Sequence, residues 1–226
     1  MYTIDNQKYN EILIIDEKHI AGKMDGKGKE YNEEGQLIFE GEYLNGQKLE
    51  GKEYNEEGQL LIFEGKYKNG KMWSGKINQY GYNSLVFEGE YLNGKRYKGK
   101  EYNDKFKLIF EGEYKDGEKW NGTIYNYDNY YKNRLRYKGT FLNGEKNGKG
   151  EEYDYKGNII FEGEYKNGKQ WNGKGKEYDY KGNTTFEGEY KNGEKWNGKL
   201  YKFNYKDEKL FKGEYLNGKL IENHKC

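Results

Sequence analysis

The sequence predicts an all-β protein: an elongated, twisted, single-layer antiparallel β-meander of repeated β-hairpins, with about 18 strands and an aromatic-lined groove. Three observations predict it. An aromatic-x-Gly-x-aromatic unit recurs every 23 to 27 residues. An Asn-Gly or Asp-Gly pair, typical of two-residue hairpin turns, follows nearly every copy. The chain contains no proline, which suits a continuous hydrogen-bonded sheet.

The repeats set the domain organisation. A unit of about 24 residues is too small to bury a core alone, so neighbouring copies must stack. We therefore expect a lead-in strand at residues 1–14, one repeat array at residues 15–220, and a short tail at residues 221–226. The copies start at residues 15, 39, 63, 87, 110, 137, 161, 186 and 211, and the copy at residue 15 is degenerate.

Within one copy, residues alternate as in a half-buried strand. Phe161, Gly163 and Tyr165 share one parity, while Glu162 and Glu164 share the other. We expect the aromatic parity to face inward. A glycine between two rings indicates close backbone approach, and it would let the sheet curl toward that side.

The second strand of each hairpin carries lysines where the first carries glutamates. Lys174 and Lys176 are predicted to lie beside Glu162 and Glu164 on the outer face, and each cross-strand pair would contribute about 0.2–1 kcal/mol. The repetition indicates solvated charge pairs and not catalytic acids. One tyrosine row has the opposite parity to the second-strand glycines, so either a bulge resets the register or the row lies on the other face: Tyr31, Tyr54, Tyr102, Tyr153 and Tyr178.

Composition argues against several classes of function. With 40 basic and 39 acidic residues, the net charge is +1, whereas nucleic-acid binders usually carry a basic excess. His19, His224 and the single Cys226 lie far apart, so we expect no metal site, no cofactor, no intrachain disulfide and no catalytic constellation. No apolar run approaches the roughly 20 residues of a membrane span. We expect a non-enzymatic, cytoplasmic protein.

The pattern resembles the MORN repeat, whose usual form is close to Tyr-x-Gly-x-Trp-x-x-Gly-x-x-x-Gly-x-Gly. Residues 137–150 match it almost position by position, and residues 161–175 match it with one extra residue before Trp171. The segment at residues 33–37 also resembles the second, bacterial-type class. The resemblance covers about residues 15–220 and implies an interaction module that binds proteins, sometimes another copy of the same chain. Binding of phospholipid headgroups has been proposed for the family.

We expect three rows of residues to share the inward face: the first aromatic of each copy, the second aromatic, and a patchy row after the turn. Part of this surface should stay accessible because a single layer cannot cover both faces. The four tryptophans are the best anchors. The predicted partner-binding residues are Trp73, Tyr97, Trp120, Trp171, Trp196, Tyr67, Tyr91, Tyr114, Tyr165, Tyr190, Phe161 and Phe186. The third row also includes Leu49 and Leu220.

The step of 27 residues is the clear irregularity in the array. The segment at residues 121–136 is tyrosine-rich and carries two of the three arginines. A loop insertion without function and a specific contact site or bend are both open. The contact residues would be Tyr130, Tyr131, Arg134 and Arg136.

We therefore expect a non-catalytic repeat scaffold that binds another protein or peptide in its groove. The alternatives are binding of a glycan or small ligand on aromatic platforms, and a membrane-surface adaptor that binds phospholipid. Near-neutral charge weighs against membrane attachment. Pairing of exposed sheet edges would allow a homodimer.

Overall fold

The computed structural model describes residues 12–15, 19–20, 23–81, 84–128, 133–204, 206 and 208–222, with side chains from Asp25 onward. Throughout these ranges the chain forms strands and turns and no helix. Eighteen of the described strands belong to one open antiparallel sheet, and two short strands form a separate small sheet. The predicted all-β, single-layer antiparallel meander is confirmed.

The described strands are, in chain order, β1 (Ile12–Ile15), β2 (His19–Ile20), β3 (Lys23–Met24), β4 (Gly26–Tyr31), β5 (Leu37–Leu44), β6 (Gln47–Tyr54), β7 (Leu61–Lys68), β8 (Lys71–Gly81), β9 (Ser84–Leu92), β10 (Lys95–Tyr102), β11 (Leu108–Lys115), β12 (Glu118–Tyr127), β13 (Leu135–Leu142), β14 (Glu145–Tyr153), β15 (Ile159–Lys166), β16 (Lys169–Tyr178), β17 (Thr184–Lys191), β18 (Glu194–Phe203), β19 (Lys209–Leu216) and β20 (Lys219–Glu222).

The chain divides into two compact units. Unit 1 comprises Met1–Leu108 with Glu113–Glu118, and unit 2 comprises Ile109–Gly112 with Lys119–Cys226. In unit 1, β1 pairs with β4, and β4 to β10 pair consecutively; β2 and β3 form the small separate hairpin. In unit 2, β12 to β20 pair consecutively.

The hairpins turn on the predicted Asn-Gly and Asp-Gly pairs. Asn45 and Gly46 have φ values of 53° and 78°, and two consecutive positive φ values characterise the type I′ turn, whose twist matches that of the flanking strands. The same geometry recurs at residues 69–70, 93–94, 116–117, 143–144, 167–168, 192–193 and 217–218.

One side of the sheet, called here the Phe face, carries the first and second aromatic of each copy. The ring of Phe39 is fully buried and makes edge-on contacts with Tyr43 of its own strand (5.5 Å between centroids) and Tyr67 of the next hairpin (5.7 Å). Unit 2 repeats this arrangement. Each copy thus completes the burial of its predecessor, as nearest-neighbour stacking requires. The first-aromatic residues with at most 2% exposure are Phe39, Phe63, Phe87, Phe110, Tyr137, Phe161 and Phe186.

Paired glycines let these rings lie flat against the sheet. Gly163 on β15 lies directly opposite Gly173 on β16, and a Cβ atom added to Gly173 would lie 2.9 Å from the Phe161 ring. The expected inward position of the glycines and the close approach of rings to their backbone are confirmed. Substituting either glycine would push the ring or the neighbouring strand away.

Cations seal the outer side of the Phe face. The Lys48 ammonium lies 4.2 Å from the centroid of Phe39 and 2.8 Å from a Glu30 carboxylate oxygen. Glu30 also accepts a hydrogen bond of 2.6 Å from the Tyr43 hydroxyl. The ring, the cation, the carboxylate and the hydroxyl therefore satisfy one another at the sheet surface.

This cap recurs with variation. Arg96, Lys119, Lys146 and Lys195 lie 3.7–5.6 Å from the centroids of Phe87, Phe110, Tyr137 and Phe186. Met72 and Gln170 occupy the equivalent position in two other hairpins, opposite Tyr67 and Tyr165. Side chains of the sheet itself therefore bury the first aromatics without a second layer.

Candidate functional site

The opposite side of the sheet, called here the charged face, carries the predicted cross-strand charge pairs. Glu40 lies between Lys29 (3.5 Å) and Lys52 of the neighbouring strands, and Lys52 in turn approaches Glu64 (3.8 Å). These side chains are about one-third to one-half exposed, so each pair adds little to stability. They define a continuous surface of alternating charge.

The tyrosine row that the sequence left open lies on the charged face. The Tyr54 hydroxyl donates to Glu40 at 3.0 Å, and the Tyr102 hydroxyl donates to Glu88 at 2.6 Å. The parity follows from the strand itself, since Glu53 precedes Tyr54 and lies opposite Phe63 on the Phe face. A register shift also occurs between Glu53 and Tyr54, but it does not return the tyrosine to the Phe face.

The tryptophans also lie on the charged face, which corrects the prediction of one shared inward face. In β8, Trp73 and Ser74 both oppose Lys66, because the pairing skips from Tyr67–Met72 to Lys66–Ser74. Such a β-bulge breaks the strict alternation of sides. The bulge turns Trp73 toward the lysines, and the Lys68 ammonium lies 4.3 Å from the ring centroid.

Each of these tryptophans spans two hairpins. The Gly94 N–H donates to the Trp73 carbonyl at 2.8 Å, and a Cβ on Gly94 would lie 3.7 Å from the ring. The turn of the next hairpin therefore packs against the indole. The same bond joins Gly144 to Trp120, Gly193 to Trp171 and Gly218 to Trp196, and Lys166 and Lys191 lie 4.5 Å and 4.3 Å from the centroids of Trp171 and Trp196.

Burial divides the predicted partner-binding residues into two groups. Five of them are less than 9% exposed, namely Phe161, Phe186, Tyr67, Tyr114 and Tyr165. These five stabilise the Phe face and offer almost no surface to a partner, so we assign them to the core. Tyr91 and Tyr190 are half-buried in the second-aromatic row.

The remaining candidates keep accessible surface. Trp73, Trp120, Trp171 and Trp196 are half-buried, and Tyr97, the equivalent residue in β10, is 43% exposed. Partner binding by these five residues stays a prediction. For the four tryptophans, the surface concerned is now the charged face.

The irregular copy is described in part. Tyr130 and Tyr131 lie outside the described residues. Arg134 is exposed and donates to the Tyr155 carbonyl at 2.6 Å, while Arg136 is half-buried in β13. Arg134 thus connects the segment before β13 to the loop between β14 and β15.

Cavities lie on the charged face in each unit, and the sequence reading missed them. In unit 1 the cavity measures about 610 Å³, and its lining is Lys27, Gly28, Lys29, Glu40, Gly41, Glu42, Glu50, Gly51, Lys52, Glu64 and Gly65. In unit 2 a cavity of about 620 Å³ is bordered by lysines, glutamates, two threonines and the glycines of β13 to β16. The paired glycines were the available signal, because bare backbone leaves room between the charged columns.

The pKa shifts in the described part of the chain belong mainly to tyrosines of the sheet. Within the described residues no charged side chain is buried. Burial, followed by the Glu152 charge, raises the pKa of Tyr137 from 10.0 to about 12. Burial and then the bonded Glu53 likewise raise the pKa of Tyr67. These shifts accompany structural hydrogen bonds and core packing.

Two further findings concern the described part of the chain. It contains no group of three or more histidine, cysteine or acidic side chains placed to hold a metal ion. The described residues contain strands and turns but no helix, so they include no helix long and apolar enough to cross a membrane. No protein-family model matches the chain, and no curated protein matches it significantly.

Proposed function

We propose that this chain is a non-catalytic repeat scaffold, of the MORN-like kind, that binds a polypeptide segment along the charged face. The observation that supports this is the difference in accessible surface between the two sides of the sheet. The aromatic rings of the Phe face are buried against one another, whereas the charged face has cavities, half-buried tryptophans and partly exposed ion pairs.

The chemistry of the cavity in unit 1 favours a polypeptide. Lysines and glutamates alternate around a glycine floor, so an extended segment with its own mixed charges could pair with both signs. Paired potentials of this kind set register and specificity more than affinity. Stacking of a sugar on the tryptophans is less favoured, because a lysine ammonium already covers a ring face of Trp73, Trp171 and Trp196.

A matched charge reversal tests the site. Glu42 and Glu50 lie directly opposite each other and line the cavity in unit 1. Changing both to lysine preserves one like-charged pair and inverts the local potential, so the effect on folding should be small. Peptides selected from a random display library on the wild-type chain should bind this double variant about tenfold more weakly, measured by fluorescence anisotropy.

The control carries the same change of charge elsewhere. Glu118 and Glu145 are exposed at the turn ends of β12 and β14. Their conversion to lysine should leave peptide affinity within about twofold of the wild type. The proposal fails if no peptide binds saturably, or if the cavity variant and the control bind equally well.

A further inference from the structure

The Trp-Asn-Gly motif of one hairpin holds the Asn-Gly turn of the next hairpin. In β16, the Trp171 carbonyl accepts a hydrogen bond from the Gly193 N–H at 2.8 Å. The neighbouring Asn172 side-chain oxygen accepts from the Asn192 N–H at 3.0 Å. We call these two bonds the turn clamp. The motifs that begin at Trp120 and Trp196 hold the turns at residues 143–144 and 217–218 with the same two bonds.

The turn clamp is incomplete at two other Asn-Gly turns. In β8, Ser74 replaces the asparagine of the motif, and the Trp73 carbonyl supplies the single bond that the structure describes from this hairpin to the turn at residues 93–94. The turn at residues 167–168 is held in the same partial way, because its glycine N–H donates to the Lys146 carbonyl at 2.9 Å. Each of these turns therefore has one bond of the clamp.

The turn at Asn69 and Gly70 has neither bond. The preceding hairpin carries Leu49 and Glu50 at the motif positions, and within the described part of the chain neither N–H of the turn has an acceptor in that hairpin. A Cβ atom on Gly70 would meet nothing within 4 Å, whereas in three other turns that atom would contact an indole ring. Among the Asn-Gly turns from β7 to β20, this one is therefore the least constrained.

An Asn-Gly pair can convert spontaneously into aspartate or isoaspartate. The backbone nitrogen of the glycine attacks the Cγ atom of the asparagine, ammonia leaves, and a cyclic succinimide forms. Water then opens the ring at either of its two carbonyl carbons. One opening gives aspartate, and the other gives isoaspartate, in which the main chain runs through Cγ. Glycine favours the reaction because its backbone, which lacks a Cβ atom, readily reaches the required conformation.

The turn clamp opposes this reaction because it holds the attacking nitrogen. To reach Cγ, the glycine nitrogen must leave its place in the type I′ turn, and in a clamped turn this motion breaks the bond from that same N–H to the preceding hairpin. Exposure does not separate the sites, since the asparagines of these turns are all exposed. The bonds to the preceding hairpin therefore determine which turn reacts first.

We propose that Asn69 is a deamidation site, the fastest among the Asn-Gly turns from β7 to β20. Isoaspartate at this position lengthens the main chain by one carbon, so the two-residue turn loses its type I′ geometry. Either product adds a carboxylate between Lys68 and Lys71. The modified turn is also a substrate of the kind that isoaspartyl methyltransferases recognise. This inference concerns a covalent change in one turn and does not depend on peptide binding at the charged face.

Two matched pairs within the chain test the proposal without any substitution. Asn69 and Asn167 share the local sequence Tyr-Lys-Asn-Gly-Lys. Asn93 and Asn217 share Tyr-Leu-Asn-Gly-Lys. The folded wild-type chain is incubated at neutral pH, and digestion with a glutamate-specific protease followed by tandem mass spectrometry gives the rate at each site. Since the members of each pair differ by one bond of the clamp, Asn69 should react about two- to tenfold faster than Asn167, and Asn93 faster than Asn217 by a similar factor.

Incubation in concentrated urea is the control for intrinsic reactivity. In the unfolded chain, Asn69 and Asn167 should react at equal rates, because their local sequences are identical and the turn contacts are gone. Labelling with an isoaspartyl methyltransferase should detect isoaspartate at residue 69 in the folded sample. Aspartate without isoaspartate would indicate direct hydrolysis of the side chain and would contradict the attack by the Gly70 nitrogen.

A variant tests the clamp itself. Asn172→Ser removes the side-chain bond to the turn at Asn192, as Ser74 does naturally in β8. Deamidation at Asn192 should become about two- to tenfold faster, while Asn217 of the same molecule keeps its wild-type rate. Three results would each overturn the proposal: equal rates at Asn69 and Asn167 in the folded chain, a difference between them that persists in urea, or an unchanged rate at Asn192 in the variant.

Discussion

Gly163 and Gly173 face each other across β15 and β16 so closely that a Cβ atom on Gly163 would lie 2.6 Å from the Cα of Gly173. The obstacle is backbone, which cannot rotate away as a side chain can. The same pairing joins Gly41 with Gly51, Gly65 with Gly75, and Gly188 with Gly198. The spacing of the two strands in a hairpin therefore depends on glycine at both positions.

Gly163→Ala should lower the free energy of unfolding by roughly 1–3 kcal/mol, and Gly163→Val by more, because overpacking here displaces a neighbouring strand. Chemical denaturation monitored by circular dichroism measures the loss. Gly81→Ala is the control, since its Cβ would meet a single neighbour, the Val86 side chain, at 3.3 Å. Equal stability of the Gly163→Ala and Gly81→Ala variants would contradict the close-packing role.

Tyr137→Phe should stabilise the chain by about 1 kcal/mol. Tyr137 occupies a row that is phenylalanine in the other buried copies, and its hydroxyl is buried without a hydrogen-bond partner among the described residues. An unsatisfied buried hydroxyl is costly, and its removal leaves the ring and the Lys146 contact in place. The thermal midpoint should rise.

Tyr190→Phe provides the matched comparison for that substitution. The Tyr190 hydroxyl donates to Glu177 at 2.9 Å, so its removal should cost about 1 kcal/mol. The thermal midpoint should therefore rise in Tyr137→Phe and fall in Tyr190→Phe. A loss of stability in Tyr137→Phe would show that its hydroxyl is satisfied.

Trp171→Ala should destabilise the chain as well as weaken peptide capture. The indole touches Lys166 of its own hairpin and packs against the turn at Gly193, so truncation removes contacts between two hairpins. Trp171→Phe retains much of that packing with a smaller ring. If the tryptophan surface contributes to binding, Trp171→Phe should weaken peptide binding by about threefold or more at a nearly unchanged thermal midpoint. Unchanged affinity would restrict Trp171 to a structural role.

Much of the fold could be predicted because its signals are local. Phe161, Gly163 and Tyr165 alternate within one strand, and Asn167-Gly168 specifies its turn from neighbouring residues alone. The cap on Phe39 could not be predicted in this way, since it joins Glu30, Phe39 and Lys48 from three strands. Its available signal was the position after the turn, which places a long side chain opposite the second aromatic.

The face proposed for binding was harder to predict for a physical reason. Alternation assigns a side to each residue only while the ladder stays in register, and the bulge at Trp73 breaks it. One inserted residue moved the tryptophan row to the opposite side from the expected groove. The paired glycines that line the cavities were visible in the sequence. The aromatic rings pack against these glycines on the Phe face, however, whereas the cavities lie on the charged face.

Stability should fall as pH rises from about 10 to about 12. Burial, then the Glu152 charge, raises the pKa of Tyr137 to about 12, and burial, then the Glu151 hydrogen bond, raises that of Tyr153 to about 12, from an ordinary value of 10.0. Between these values the unfolded chain releases tyrosine protons that the folded chain retains. Because the unfolded state then binds fewer protons, the free energy of unfolding decreases with pH across this window.

Urea midpoints measured at steps of pH through this window, with tyrosinate absorbance near 295 nm, would reveal the decline. The contribution of these tyrosines is fully present below pH 10 and is lost as pH rises through the folded-state pKa. Burial, then the Glu177 hydrogen bond, also raises the pKa of Tyr190, so Tyr190→Phe should make the decline shallower. Tyrosinate that forms near pH 10 without any loss of folded structure would show that burial and the neighbouring carboxylates do not hold these hydroxyls neutral.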